Sequence, residues 1–356
     1  MWALRFWAGA RFLVAAAGAL AVWAFLVNRV VIQWVDGPFK QTAIGALGFG
    51  LALLGALSSM SVAGSRRRHF AFAWVAILGL FGIGEAHRAW LRGKYGATSE
   101  NASLWHPVTT TDLELRRFTL PVAGLGVSRL RIAHLTDLHV TFGTDPAYVA
   151  RVHAAVRDAA PDVLVLTGDT LSAIDRLPAL ERWLGGLSRP RYGSYAVLGN
   201  HEHWTGHPDA VRAVLESAGF RLLAGTCETL ELPEAPGVRL CGTEEPWGPA
   251  LDAELASSGV SATLVLSHTP DNVYALAERG ATAVFAGHTH GGQMRLPLLG
   301  PLIVPSRYGR RFDQGHFLVD GTHLFVSAGV GADAPNLRLF CPPDILIVDL
   351  VDRSAE

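Results

Sequence analysis

Five short apolar runs dominate the middle of the chain, and each is followed closely by residues of the types that bind metal ions. The runs are Leu130–Leu135, Val163–Thr167, Tyr195–Leu198, Thr263–Ser267 and Thr282–Ala286. Runs of this length are typical of strands that are buried on both faces of a sheet. A chain with this pattern has to bury several strands together, which excludes a disordered chain and a small disulfide-stapled one.

The segments between these runs contain the signals of helices. Proline stands at a first helical position in Asp145-Pro146, His207-Pro208 and Thr269-Pro270. Gly219 and Gly280 stand where glycine commonly ends a helix. Strands that alternate with helices predict an α/β domain whose sheets are covered by helices.

The end of the chain is richer in strand signals. Phe317–Val319 and Leu324–Val326 flank Asp320-Gly321, a dipeptide typical of a hairpin turn. Ile345–Leu350 predicts a last strand.

Polar residues that follow the five runs form one set of potential ligands. They are Asp137, His139, Asp169, Asn200, His268, His288 and His290. Residues at the carboxyl ends of neighbouring strands gather at one edge of an open α/β sheet. A set of carboxylate, amide and imidazole ligands without thiolate suits Mn, Fe, Zn or similar ions. Asp169 is the natural bridge between two divalent cations, which together clamp a phosphate and activate the water that attacks phosphorus in line.

Residues 1–92 have a different character from the rest. They contain three apolar segments, Phe12–Asn28, Gln41–Ser65 and Phe70–Gly84, of which the third reaches full length only if Glu85 lies near the interface. We predict about three transmembrane helices here; a buried helical core is the alternative, and a cleaved signal peptide would explain only the first segment. The expected location is therefore the cell membrane, as a multi-pass protein.

Charge separates the two parts of the chain. Residues 1–92 contain nine Lys/Arg and two Asp/Glu, and the remainder is acidic, so a nucleic-acid surface is not expected. Arg66–Arg68 between the second and third segments favour a catalytic domain outside the cell by the positive-inside rule. Arg88, Arg92 and Lys94 favour the opposite orientation. The polar residues 93–111 are typical of a linker, which places the domain at 112–356.

The three cysteines leave the redox compartment open. Cys227, Cys241 and Cys341 are odd in number and form no CxxC motif, so no zinc knuckle or disulfide framework follows. Cys227 and Cys241 either pair or remain free.

The ligand set resembles the calcineurin-like metallophosphoesterase superfamily. The elements are Asp137-x-His139, Gly168-Asp169, Gly199-Asn200-His201-Glu202, His268 and Gly287-His288-x-His290, in this order. The segment His288-Thr289-His290-Gly291-Gly292-Gln293 is similar to the membrane-anchored bacterial branch, which includes transmembrane proteins with a metallophosphoesterase domain. The resemblance covers about residues 112–350 and implies a four-layer α/β/β/α sandwich with two divalent metal ions.

The resemblance also implies a role for each residue. Asp137, His139, Asp169 and His290 would hold the first metal, and Asp169, Asn200, His268 and His288 the second. His201 would contact the phosphate and protonate the leaving oxygen. Arg338 keeps its place in the family pattern Pro-x-Arg, although Asn336 replaces the proline, and would contact substrate phosphate.

Three neighbours of His201 are secondary candidates. Trp204 would line the pocket or serve only in packing, and Glu202 and His203 would orient the ligands.

The resemblance implies a membrane-anchored phosphodiesterase or pyrophosphatase acting on a phosphorylated small molecule or a lipid-linked envelope substrate. The resemblance to this branch also implies one alternative, hydrolysis of UDP-2,3-diacylglucosamine in lipid A synthesis, whose substrate is cytoplasmic. A non-catalytic scaffold and a sensor or transporter component are alternatives of other classes, and the sequence leaves the oligomeric state open.

Overall fold

The computed structural model describes residues 106–141, 144–233, 237–256, 259–296, 300–334 and 336–353. Apart from Arg307–Arg311, these residues belong to one compact unit. The three predicted membrane segments lie outside the described residues. Within the described ranges, no helix is both long and apolar enough to span a bilayer.

The described residues alternate between strands and helices. The strands are β1 (Glu114–Val122), β2 (Arg129–Leu135), β3 (Val163–Thr167), β4 (Ser194–Val197), β5 (Phe220–Leu222), β6 (Cys227–Leu230), β7 (Val238–Thr243), β8 (Ala262–Ser267), β9 (Ala283–Ala286), β10 (Arg295–Leu296), β11 (Gly300–Pro301), β12 (Gly315–Val319), β13 (Thr322–Val326) and β14 (Asp344–Asp352). The α-helices are α1 (Pro146–Ala159), α2 (Leu177–Leu184), α3 (Asn200–Trp204), α4 (Pro208–Ser217) and α5 (Val273–Glu278). All five apolar runs are strands, as the sequence predicts.

Helix starts follow the local signals in the sequence. The Asp145 side chain accepts a hydrogen bond from the amide of Ala147 at the start of α1, and Pro208 begins α4. Pro270 instead begins a short 3-10 turn, Pro270–Asn272, that leads into α5.

The strands form two mixed six-stranded sheets and a small hairpin. The first sheet has the order β1-β14-β2-β3-β4-β5, and the second has the order β12-β13-β9-β8-β7-β6. Most neighbours are parallel, and the antiparallel pairs are β14 with β2, β12 with β13, and β6 with β7. Strands β10 and β11 form the separate hairpin.

One buried apolar layer contains side chains of both sheets. Ile132 of β2 and Val165 of β3 lie in the same cluster as Leu264 of β8 and Phe285 of β9. Successive side chains of a strand point to opposite faces, so Ala133 belongs to another layer, which also contains residues of α1, α2 and α4. The strands β2 and β3 are therefore packed on both sides, and β8 and β9 share the layer between the sheets with them.

Strands β6 and β7 resolve the question about the cysteines. Cys227 and Cys241 are directly opposite each other in the register of this pair, and they form a disulfide bond. Cys341 is free and buried.

Candidate metal centre

The predicted ligands stand at the strand ends on an unusual backbone. Five of them have a positive φ, in the left-handed region that residues other than glycine seldom adopt. They are Asp137 (51°), His139 (41°), Asp169 (52°), His288 (66°) and His290 (51°). Backbone strain of this kind persists only where the surroundings enforce it, and it clusters at functional sites.

Backbone hydrogen bonds hold these strained turns in place. The amide of Asp137 donates to the carbonyl oxygen of Gly168 over 3.0 Å, and the amide of His139 donates to that of Asp169 over 3.0 Å. The loops after β2 and β3 therefore brace each other.

A first group brings together Asp137, His139, Asp169 and His290. Each offers one ligand atom, and these atoms lie within 4.8 Å of one another. Nε2 of His290 is 3.2 Å from Oδ1 of Asp137 and 3.1 Å from Nε2 of His139. All four side chains are buried.

A second group shares Asp169 with the first. Asp169, His268 and His288 also offer ligand atoms within 4.8 Å of one another. Nε2 of His268 is 3.2 Å from Oδ2 of Asp169 and 3.0 Å from Oδ1 of Asn200. The structure thus brings all seven predicted ligand residues to one place, with Asp169 between the two groups.

The charges within the cluster suit cation binding. Burial disfavours ionised Asp137 and Asp169, but the neighbouring imidazoles outweigh it and lower the pKa of both carboxyls. Burial lowers the pKa of His139 to about 4 and that of His288 to about 3. Both imidazoles are therefore neutral at pH 7, the state in which histidine binds a metal.

His268 differs from the other two imidazoles. Burial lowers its pKa, but the adjacent Asp169 carboxylate more than compensates and raises it to about 9. A bound cation would therefore displace a proton from His268.

Glycines keep the ligands close together. A Cβ atom added to Gly199 would overlap the carboxylate of Asp169, and one added to Gly287 would overlap Asp137. A Cβ on Gly329 would lie 2.7 Å from Cβ of Asp137. The donor set, its shared carboxylate and this tight packing fit a centre of divalent metal ions.

Groups around the cluster orient it. Nδ1 of His268 donates to the carbonyl oxygen of Thr167 over 2.7 Å, which turns Nε2 towards Asp169. The buried Glu202 carboxylate accepts hydrogen bonds from the amides of Asp169 (3.0 Å) and Gly199 (2.8 Å). Glu202 therefore joins the loops that follow β3 and β4.

His203 contacts a carboxylate that is not among the predicted ligands. Its Nε2 is 3.1 Å from Oε2 of the buried Glu244, which also pairs with Arg212 and accepts a hydrogen bond from the amide of Leu198 over 3.0 Å. Through Glu244, His203 thus supports the backbone before Gly199.

His201 lies at the open side of the site. Its side chain is 16% exposed, and its Nε2 is 4.0 Å from Oδ2 of Asp169. Its ring centroid is 4.7 Å from that of His139. The ring of Trp204 is 5.0 Å from that of His201, and this residue is 66% exposed. Trp204 thus forms an exposed edge of the site beside His201.

The sequence reasoning missed two neighbours of the cluster. Oδ2 of Asp333 is 3.9 Å from Nε2 of His201, and the Trp247 ring lies 5.0 Å from that of His288 and 5.7 Å from that of His268. Asp333 follows the glycine-rich segment Gly329–Gly331, but Trp247 lies in a segment with no motif.

Arg338 requires a correction. The sequence predicts that it contacts substrate, but its side chain is fully buried. Its Nε donates to the carbonyl oxygen of Gly331 over 2.9 Å, and its Nη1 donates to that of His290 over 3.2 Å. Nη2 donates to the carbonyl oxygens of Ala328 and Gly329. The guanidinium is occupied by the backbone, so its role is to hold the loop of His290.

The fold and the site define a metal-binding α/β protein with the ligand set of a phosphoesterase. Residues 130–292 match the family model of the calcineurin-like phosphoesterases. An uncharacterised metallophosphoesterase of Aquifex aeolicus is 30% identical over 254 residues, which cover 68% of this chain and 93% of the relative. The chain belongs to the calcineurin-like phosphoesterases, which are phosphoric ester hydrolases that use divalent metals.

Three further relatives have names that state an activity or a location in a membrane. The phosphodiesterase YaeI of Escherichia coli is 27% identical, with 72% of this chain and 94% of the relative covered. A transmembrane protein with metallophosphoesterase domain from Danio rerio is 29% identical, with 63% of this chain and 53% of the relative covered. The UDP-2,3-diacylglucosamine pyrophosphatase LpxG of Chlamydia muridarum is 25% identical, with 62% of this chain and 83% of the relative covered.

Proposed function

We propose that this chain is a membrane-anchored phosphodiesterase with a dinuclear metal centre. The observation that supports this most directly is the pair of ligand groups that share Asp169. Asp137, His139, Asp169 and His290 would hold one ion, and Asp169, Asn200, His268 and His288 the other. Two divalent ions in such a site polarise the phosphoryl oxygens and lower the pKa of water.

The protein's own residues account for the remaining chemistry. His201 stands next to both groups and is partly exposed, so it can reach a phosphate ester that enters from solvent. Its imidazole would donate the proton that the leaving oxygen needs. Trp204 offers an apolar edge beside this histidine. Retention of every ligand and of His201 favours an enzyme over a non-catalytic scaffold.

The membrane anchor is part of this proposal. In this proposal residues 1–92 form the anchor, with about three transmembrane helices, and residues 93–111 form a linker. Residues 112–356 form the catalytic domain, with a four-layer α/β/β/α architecture. The support for the anchor is the apolar sequence of the first part and the transmembrane relative from Danio rerio. An anchored domain is suited to a lipid-linked envelope substrate.

The Cys227–Cys241 disulfide favours a domain outside the cytoplasm. Disulfides persist in oxidising compartments and are rare in the cytosol. The LpxG relative supports the alternative of a pyrophosphatase acting on UDP-2,3-diacylglucosamine. That substrate is cytoplasmic, so the disulfide favours the phosphodiesterase.

Hydrolysis of an aryl phosphodiester by the purified full-length protein tests the proposal. The protein is treated with a chelator and then supplied with Mn²⁺, beside an Asp169→Asn variant and an Asp209→Ala control, whose side chain is 99% exposed. We expect Mn²⁺-dependent turnover that Asp169→Asn abolishes and Asp209→Ala leaves intact. Turnover of UDP-2,3-diacylglucosamine without turnover of any diester would favour the alternative, and no hydrolysis of either with metal bound would favour a scaffold.

A further inference from the structure

Four short segments lie side by side next to the metal centre. They are residues 107–109, 338–340, 293–296 and 300–302. The amide of Thr109 donates to the carbonyl oxygen of Arg338 over 2.9 Å, and the amide of Arg295 donates to that of Leu339 over 2.9 Å. The amide of Leu302 donates to the carbonyl oxygen of Met294 over 3.1 Å, which continues the β10–β11 hairpin.

One face of these segments is entirely apolar. Residues that pair across neighbouring strands point to the same face. Val108 and Met294 each pair with Leu339, and the hairpin register places Leu302 opposite Met294. Leu296 is two residues from Met294 and therefore shares this face. We call this set the apolar platform; it comprises Val108, Met294, Leu296, Leu302 and Leu339.

The apolar platform is open to solvent. Val108 is 49% exposed, Leu296 40% and Leu302 37%, and Ile303, the next residue after Leu302, is 69% exposed. Only two other large apolar side chains of the described ranges are exposed to this extent, Trp204 and Leu318. Exposed apolar residues thus concentrate on one small face, which is typical of a surface that contacts a partner or a membrane.

The opposite face of the same segments supports the metal centre. Arg338 donates to the carbonyl oxygen of His290 over 3.2 Å, and Nη1 of Arg295 donates to that of Gly291 over 2.7 Å. Arg295 also pairs with the buried Asp313 over 2.9 Å. The apolar platform is therefore firmly connected to the loop of a predicted ligand, and its orientation fixes that of the site.

We propose that the apolar platform rests on the surface of a lipid bilayer and holds the metal centre at the height of the lipid headgroups. This inference rests on the membrane anchor of the proposed function. Val108 comes 16 residues after Arg92, where the predicted membrane region ends. That length of chain spans at most about 55 Å, because an extended chain rises roughly 3.3–3.6 Å per residue.

The composition of the face favours a bilayer as the occupant. Its five residues are aliphatic or Met, with no charged or aromatic side chain, so the face has no group that selects one protein partner. Shallow contact of such a face with acyl chains leaves the polar site, which the opposite face of the same segments supports, on the headgroup side of this contact. A lipid-linked phosphodiester would then reach the site without leaving the membrane.

Quenching by brominated lipids tests the docking in the full-length protein. The variants Val108→Cys and Leu318→Cys are each labelled with an environment-sensitive fluorophore and reconstituted into phosphatidylcholine–phosphatidylglycerol vesicles whose acyl chains are brominated. Leu318 is the matched control, because it is an exposed leucine (43%) on β12, in a different part of the domain. The native cysteines are buried or paired, and the unsubstituted protein measures their background labelling.

We expect the label at position 108 to be quenched at least several-fold more strongly than the label at position 318. Equal quenching at the two positions would overturn the docking, as would a blue-shifted spectrum at position 108 without quenching, which indicates contact with protein. Vesicle flotation tests the membrane anchor, and aryl diester hydrolysis tests the proposed enzyme, so these two measurements separate both claims from the docking. Protein that does not float overturns both anchor and docking, whereas unequal quenching without hydrolysis supports docking and contradicts only the proposed enzyme.

Discussion

The two ends of strand β4 present opposite kinds of polar surface. At its carboxyl end Asn200 and the neighbouring Asp169 are 1% exposed and belong to the ligand cluster. At its amino end a cleft of about 510 Å³ is lined by residues that include Arg189, Arg221 and Glu228. The Arg221 and Glu228 side chains form an ion pair there while 56% and 36% exposed.

This difference shows that folding is locally unfavourable at the carboxyl end of β4 but not at its amino end. Desolvation of carboxylates and imidazoles is unfavourable, and five ligand residues also adopt a left-handed backbone. Exposed ion pairs such as Arg221–Glu228 contribute little and require no strain. The buried, strained end is the one that a cation would stabilise, so substitutions at the two ends should have very different effects.

The largest effect is expected from Asp169→Asn. This change removes a charge from both ligand groups, so both ions and all phosphodiesterase activity should be lost together. Metal content measured by atomic emission, together with turnover, checks this expectation. Activity that survives with two ions bound would show that Asp169 is not the bridge.

His201→Ala should affect chemistry but not the metals. General acid–base groups contribute roughly 10²–10⁴-fold to rate, and His201 stands beside the cluster without belonging to either proposed ligand set. We expect turnover to fall within this range while the metal content stays unchanged. Loss of an ion from this variant would instead make His201 a ligand.

Arg338→Met should act through the loop of His290. The change leaves the carbonyl oxygens of Gly331 and His290 without their donor, so the loop loses its fixed position. Groups that orient metal ligands typically contribute about 10–100-fold to metal affinity. Metal titration should show a loss of this size, and KM at saturating metal should change little. A large increase in KM with unchanged metal affinity would instead support the prediction from the sequence that Arg338 contacts substrate phosphate.

Arg221→Ala, at the other end of β4, should have the smallest effect. Surface ion pairs contribute about 0–1 kcal/mol, and this one is largely exposed. Chemical denaturation should therefore show little change in the free energy of unfolding, and turnover should equal that of the unsubstituted protein. A marked loss of activity would mean that the two ends of the strand are functionally connected.

The sequence was most informative where local rules determine structure. Buried strands such as Val163–Thr167 are readable from their apolar runs, and Pro146 and Pro208 begin helices. The ligand residues were identifiable because parallel strands deliver their carboxyl ends to one edge.

Long-range packing set the limits of sequence reasoning. β1 pairs with β14 along its whole length, from Glu114 with Asp344 to Val122 with Asp352, a contact across more than two hundred residues that no local pattern signals. Trp247 and Asp333 approach the site through tertiary contacts alone. Arg338 was recognisable as part of a motif, but only the structure shows that its guanidinium faces backbone carbonyls.

The most direct test of the dinuclear centre is electron paramagnetic resonance of the full-length protein loaded with Mn²⁺ after chelation. Two ions that share the Asp169 carboxylate should be magnetically coupled, so the account predicts two Mn²⁺ per chain and an exchange-coupled spectrum that Asp169→Asn abolishes. A spectrum of isolated Mn²⁺ with one ion per chain, unchanged by this substitution, would contradict it.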